Sequence, residues 1–209
     1  MPQYRKDKMS KKKSLLIFFG MIATGKSHLA SAFAKKWKCA YYNSDIVRKE
    51  LAGISSHKKE LAAVDAGIYS SAFTSRTYDA LLSRAQDDLA QERYQCVVLD
   101  GSYQRSSERE RLCRTLGAAH RLVFILCQCP EAVMKKRMAL RLKNPQAVSD
   151  GRWEIYLEQK KRFEMPLELP EKQLLTLDTD RPLPELLSLL EEGLRGLEGE
   201  AEQEIVLQR

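Results

Sequence analysis

Residues 20–27 read GMIATGKS, between an apolar run, SLLIFFG, and a helix-like run, HLASAFAKKW. The pattern is G-x-x-x-x-G-K-[ST] with a strand expected before it and a helix after it, the setting of a phosphate-cradling loop. That setting restricts the fold more than any other feature of the chain. Gly20 and Gly25 let the backbone wrap closely around oxygens. The loop's N–H groups, through Ala23, Thr24 and His28, and the start of the next helix supply donors for an anion. Lys26 would reach the outer phosphates of a nucleotide, and the Ser27 hydroxyl would serve Mg²⁺. The His28 backbone N–H serves a phosphate, and its imidazole reads as a helix-surface group.

Short apolar runs alternate with helical segments along the rest of the chain. Strands are expected at 14–20, 40–44, 96–100, 121–128 and 173–178. They are apolar on both faces, as strands of a helix-covered parallel sheet are. Helices are expected at about 26–37, 45–52, 66–92, 106–117, 130–143, 151–164 and 183–195. In the third of these, Tyr78, Leu81, Leu82, Ala85 and Leu89 recur at helical spacing. The expected class is therefore α/β: a P-loop NTPase with a doubly wound sheet of about five parallel strands and helices on both faces. Ligands then belong at the carboxyl ends of the strands, where Gly20, Asp45, Asp100 and Asp178 fall.

The 209 residues suit one such domain with a small lid. The formal charge of +7 is uneven. Residues 1–13 carry a net +5 and read as a basic arm, residues 196–209 read as an acidic tail, and the domain between them spans 14–195. A basic middle suits a phosphate-rich ligand. Five cysteines without a paired CxxC motif read as free thiols in a reducing, cytoplasmic setting. No apolar run is long enough to cross a membrane, and no secretory signal is read at the start.

Asp100 ends the apolar run CVVLD and precedes Gly101. It reads either as the acidic partner that helps hold Mg²⁺ through water or as a turn-forming Asp-Gly. Asp45, in NSDIVRKELAG, would sit at a strand's carboxyl end. It reads either as a helix cap, with Ser44, or as the general base that takes a proton from an acceptor hydroxyl. Arg48 lies three residues on, on the same helical face, and could bind an acceptor's phosphate or carboxylate.

Taken together, GMIATGKS, SDIVRKELAG, YSSAFTSRTYDALL and VVLDGSYQRSSERERL resemble the zeta-toxin/polynucleotide-kinase-like group of P-loop kinases, over roughly residues 14–180. Small predicted kinases of that kind occur alone or behind an aminoglycoside-phosphotransferase-like domain. The resemblance implies that Asp45 and Arg48 are general base and acceptor ligand, and that Arg76, Arg105 and Arg109 flank the acceptor cleft. It also implies a helical lid over the triphosphate, at about 134–152. Arg137 and Arg141, four residues apart on one face, would then neutralise charge in the transition state. The loop LDTDRPL places Arg181 where it could stack on adenine, or in a plain turn. The expected activity is Mg²⁺-requiring transfer of the γ-phosphoryl group from ATP, or another NTP, to a hydroxyl. The acceptor would be a polynucleotide 5′-OH or a nucleotide- or sugar-type metabolite. A nucleotide-sugar kinase, a regulatory ATPase and a nucleic-acid-binding NTPase are the competing expectations.

Overall fold

A computed structural model describes residues 12–55, 67–91, 93–142 and 153–207, with side chains for all of these except 141, 142 and 199–207. Five strands form one parallel sheet: β1 (Ser14–Phe19), β2 (Ala40–Asn43), β3 (Cys96–Asp100), β4 (Arg121–Gln128) and β5 (Leu174–Asp178). Their order is β2-β3-β1-β4-β5. Among the described residues, seven α-helices connect and cover them: α1 (Lys26–Trp37), α2 (Ser44–Leu51), α3 (Ser71–Ala90), α4 (Ser106–Leu116), α5 (Glu131–Leu142), α6 (Trp153–Arg162) and α7 (Leu183–Leu207). The expected strands match the observed ones to within a residue at each end. This is the doubly wound α/β fold read from the alternating runs.

Both faces of the central strands are buried, and side-chain alternation sorts their residues between two cores. Leu15, Ile17 and Phe19 of β1 face α3 and α4, with Leu81, Leu89, Leu112 and Leu116 among their neighbours. Leu16 and Phe18 face α1 and α7, beside Leu29, Phe33, Leu186 and Leu190. A smaller cluster joins Ile22 and Ala23 of the loop to Met134 and Met138 of α5 and Tyr156 of α6. The GMIATGKS loop is thereby packed on α5, which carries the first part of the expected lid, and on α6, which follows it. Residues 143–152 of that lid lie outside the described residues.

Two expected boundaries move. Lys13 is not part of a free arm: its Nζ donates to the carbonyls of Leu89 and Gln91 at 2.8 and 2.7 Å, closing the C-terminal end of α3. A cation is favourable at that negative end of a helix. Residues 1–11 lie outside the described set. At the other end, α7 does not stop before Gly196 but runs on to Leu207. Leu197 is buried, and Arg121 of β4 binds Glu198 at 2.5 Å and the Leu194 carbonyl at 3.0 Å. That anchoring carries the helix through a glycine that on its own costs about 1 kcal/mol.

The five cysteines are free thiols. Cys127 is fully buried, and burial pushes its thiol up to about 12. Among the described residues, no helix is long and apolar enough to cross a membrane.

Candidate functional site

The loop has the conformation its glycines predict. Gly20 sits at φ 134°, and a Cβ there would lie 2.5 Å from the Cys127 carbonyl oxygen, so no other residue fits. Gly25 sits at φ 86°, and Ala23 also has a positive φ, 61°. One peptide organises the turn. The Met21 carbonyl accepts from Thr24 Oγ1 at 2.8 Å and from Lys26 Nζ at 3.2 Å. The other end of that peptide, the Ile22 N–H, donates to Oε1 of Gln159 on α6 at 2.8 Å. His28 is exposed, and its N–H closes the first turn of α1 on the Gly25 carbonyl.

The sheet register brings Asn43 and Phe18 level with Asp100. Asp100 is fully buried, and Tyr41 and Asn43 donate to its Oδ2 at 2.7 and 2.6 Å. The Tyr41 hydroxyl is held far above the ordinary tyrosine range, by burial first and by the Asp100 charge next, so it stays a donor. Asp100 Oδ1 is buried with no partner among the described residues. Asn43 also makes a long contact, 3.5 Å, with Ser27 Oγ. The hydroxyl and the carboxylate expected to serve Mg²⁺ thus share one neighbour. Among the described residues, no cluster of three or more His, Cys, Asp or Glu side chains offers a metal cage. A cation here would take few protein ligands and complete its shell with phosphate and water, as Mg²⁺ does.

Neither Ser44 nor Asp45 caps α2. The Asn43 side chain does so, accepting from the N–H groups of Asp45 and Ile46 at 3.0 and 3.1 Å. Asp45 and Arg48 both line a cavity of about 580 Å³ that Lys26 lines from the loop side. Its other walls come from α3, the β3–α4 connection, α4 and α6. Arg48 is buried and stands 5.2 Å over the Tyr69 ring. It donates to the Ile68 carbonyl at 2.6 Å and to Thr74 Oγ1 at 3.1 Å, and its Nε is buried without a partner among the described residues. Among the charged lining residues, Lys26, Arg48, Arg105, Arg111 and Arg162 outnumber Asp45, Glu108 and Glu158. The carboxyl of Glu108 is raised, chiefly by burial. Tyr103, at φ 40°, closes one wall, with Tyr78 OH accepting from its N–H at 3.0 Å.

Of the arginines expected around the acceptor, only Arg48 and Arg105 line the cavity. Arg76 is exposed and stacks on Phe73, 5.1 Å from its ring. Arg109 is a correction: its side chain is fully buried away from the cavity lining. It binds Glu168 at 2.5 and 3.1 Å and the Tyr103 carbonyl at 2.8 Å. A buried guanidinium must be paired in this way. Arg111, two residues on, faces the cavity instead and pairs with Asp79.

Arg137, expected in the lid, packs against the phosphate loop and the residue after β5. Its guanidinium donates to Thr179 Oγ1 at 3.2 Å, the Thr179 carbonyl at 2.7 Å and the Ala23 carbonyl at 3.4 Å. It therefore braces the loop beside Gly25, whose Cβ would meet Nη1 at 3.1 Å. The Arg141 side chain lies outside the described set. Arg181 is exposed and pairs with Glu185 on α7. Sequence reading missed Gln159, Thr179, Asn43 and Tyr41. Asn43 alone carried a local signal, standing directly before the helix that it caps.

The AAA domain family's sequence profile matches residues 15–166. No curated protein matches the chain in sequence. Among solved structures, the fold is similar to a gluconokinase from Sinorhizobium meliloti 1021, with a TM-score of 0.62 at 21% identity, over 96% of this chain and 100% of that one. It is also similar to the Mycobacterium tuberculosis APS kinase CysC in complex with AMPPNP and APS, with a TM-score of 0.61 at 17% identity, over 89% and 99% of the two chains. Kti12 from Chaetomium thermophilum, in complex with ADP-AlF3, gives 0.60 at 14% identity, over 86% and 98%. At these identities the likeness establishes the fold. Since the profile match runs from β1 through the end of α6 and beyond, the chain belongs to the AAA domain family, built on a P-loop kinase-like fold.

Proposed function

We propose that this protein is an ATP-dependent kinase that transfers the γ-phosphoryl group to a hydroxyl of an acceptor held in the cavity. One observation carries the reading. A single cavity is lined by the phosphate-loop Lys26 and by Asp45 and Arg48. A donor cradle and a base-plus-cation pair that share one space are what in-line transfer between two bound substrates requires.

In this reading Asp45 accepts the acceptor hydroxyl's proton as that oxygen bonds to the γ-phosphorus. The bond from the phosphorus to the bridging oxygen breaks, and ADP leaves with that oxygen. Lys26 exchanges the Met21 carbonyl for phosphate oxygens and offsets their charge. Arg48 offers its unpartnered Nε to the acceptor. Ser27 and Asp100 fit a Mg²⁺ ion, because Asp100 presents a buried oxygen that no group among the described residues satisfies. When bound, the ion would neutralise charge on the phosphates. Arg137 orders the loop that holds them.

The acceptor we favour is a small hydroxylated metabolite. Serine, threonine and tyrosine hydroxyls line much of the cavity. Two structural neighbours, the gluconokinase and the APS kinase, also carry names of kinases for small acceptors. The SDIVR stretch keeps the polynucleotide 5′-OH in contention through its likeness to the polynucleotide-kinase group. The test is transfer from γ-labelled ATP to a panel of sugars, sugar acids, nucleotides and 5′-hydroxyl oligonucleotides, with Asp45→Asn alongside. Label on one class, lost in Asp45→Asn while ATP binding persists, is the expected result. ADP release that no acceptor alters would sink the kinase reading, and near-wild-type transfer by the variant would remove Asp45 from it.

A further inference from the structure

Gln159 lies 137 residues from the loop in sequence, yet its side chain is bonded to the loop's backbone. The direction of that bond is fixed by chemistry. A backbone N–H can only donate, so the atom facing Ile22 must be the carboxamide oxygen, and the two N–H donors of Nε2 are left over. Nε2 has no partner among the described residues, although Gln159 lines the cavity beside Lys26 and Asp45.

Three further observations make these donors purposeful. The peptide that Gln159 holds is the one whose carbonyl holds Lys26. A trans peptide directs its N–H and C=O to opposite sides, so Gln159 and Lys26 grip the same unit from either end. The helix that carries Gln159 is also fixed. Tyr156 donates to Glu131 on α5 at 3.1 Å, and just beyond α6 the Glu164 N–H donates to the Gln104 carbonyl at 2.9 Å. Finally, the donors belong to a side chain with its oxygen already committed, so little rotamer freedom remains to be lost on binding.

We infer that Gln159 recognises the γ-phosphoryl group, donating to it through Nε2 while its oxygen holds the loop. A residue in this role distinguishes ATP from ADP and ties the seating of α6 to the state of the loop. The inference rests on the kinase reading only in taking ATP as the loop's ligand, and its test needs no acceptor.

The full chain is titrated by calorimetry with ADP and with AMPPNP, both with Mg²⁺. Gln159→Glu keeps an oxygen for the Ile22 N–H but sets a carboxylate where the donors stood. The variant is expected to keep its ADP affinity within about twofold and to bind AMPPNP about tenfold more weakly or worse. A residue that merely anchors the loop would leave the ratio of the two affinities at the wild-type value, and that result overturns the inference. If Gln159→Glu does not fold, Gln159→Met decides. It has no N–H to offer, so a wild-type ratio there overturns the inference as well, and a collapsed ratio upholds it. A wild-type chain that binds neither nucleotide would defeat the ATP reading and this inference with it. A wild-type chain that binds both, with a ratio insensitive to position 159, defeats this inference alone.

Discussion

Asn43 donates to Asp100 Oδ2 at 2.6 Å with one end of its carboxamide and caps α2 with the other. A single side chain thus sets both the buried carboxylate and the helix that bears Asp45 and Arg48. Asn43→Ala should lower stability by about 1 kcal/mol for the lost cap, with more lost because Asp100 keeps only Tyr41 as donor. Asn43→Ser should restore the cap and not the Asp100 bond. Thermal unfolding reads the first effect and transfer activity the second. If both variants unfold alike, the cap contributes nothing.

Asp100→Asn keeps the size of the side chain and removes its charge. If Asp100 supports Mg²⁺, the variant needs more Mg²⁺ for half-maximal activity, by roughly 10–100-fold, while its fold persists. A magnesium titration of turnover checks this, and an unchanged midpoint would return Asp100 to a purely structural part.

Arg109 and Glu168 form a pair in which the arginine is fully buried. Removing one partner strands the other, at a cost of about 3 kcal/mol or more. Arg109→Met should therefore be among the more destabilising substitutions in the chain, and Arg111→Met, in the cavity wall, should leave the unfolding midpoint nearly unchanged. The reverse order would restore Arg109 to the acceptor side.

The same pair gives a pH dependence. Burial raises the Glu168 carboxyl, but the hydrogen bonds from Arg109, a backbone hydrogen bond and the Arg109 charge together outweigh it and hold the group below the usual carboxylate range. A carboxylate lowered in the folded state stabilises the fold above about pH 4.5, and that contribution fades as the pH falls through the lowered value. Glu108, raised by burial, acts with the opposite sign, so the informative quantity is a difference between proteins. The gap in unfolding midpoint between wild type and Glu168→Gln should be widest near neutral pH and close on acidification. A gap independent of pH would show that Glu168 is not charged in the fold.

The sheet could be read from the sequence because both faces of its strands are buried, which leaves unbroken apolar runs such as SLLIFF and RLVFILCQ. The loop was readable because its pattern is contiguous. Arg109 was misplaced although a signal existed: with Leu112 and Leu116 it falls on one helical stripe, at i, i+3 and i+7, and that stripe faces the core. Arg111, on another face, was overlooked for the same reason. Gln159 and Thr179 could not be found locally, since their partners lie 137 and 155 residues away and only the closed sheet brings them together. The extension of α7 past Gly196 likewise depends on Arg121, two strands upstream in the chain.

Thr179 is where the loop and the last strand lock. Its hydroxyl lies within donating reach of the carbonyls of Thr24 and Gln128, the latter at 3.0 Å, and accepts from Arg137 at 3.2 Å. The residue is almost fully buried, so water cannot replace what its hydroxyl provides. Thr179→Val has the same shape and none of these bonds. It should cost about 1–3 kcal/mol in stability and also weaken ADP binding, because the Thr24–Gly25 turn loses its brace and the Arg137 guanidinium loses one acceptor. Thr179→Ser keeps the hydroxyl and should retain most of the ADP affinity. Calorimetric titration of ADP into the two variants, beside their unfolding midpoints, separates a loop-ordering residue from a merely buried one. A valine variant that is destabilised but binds ADP as tightly as wild type would place Thr179 in the core alone.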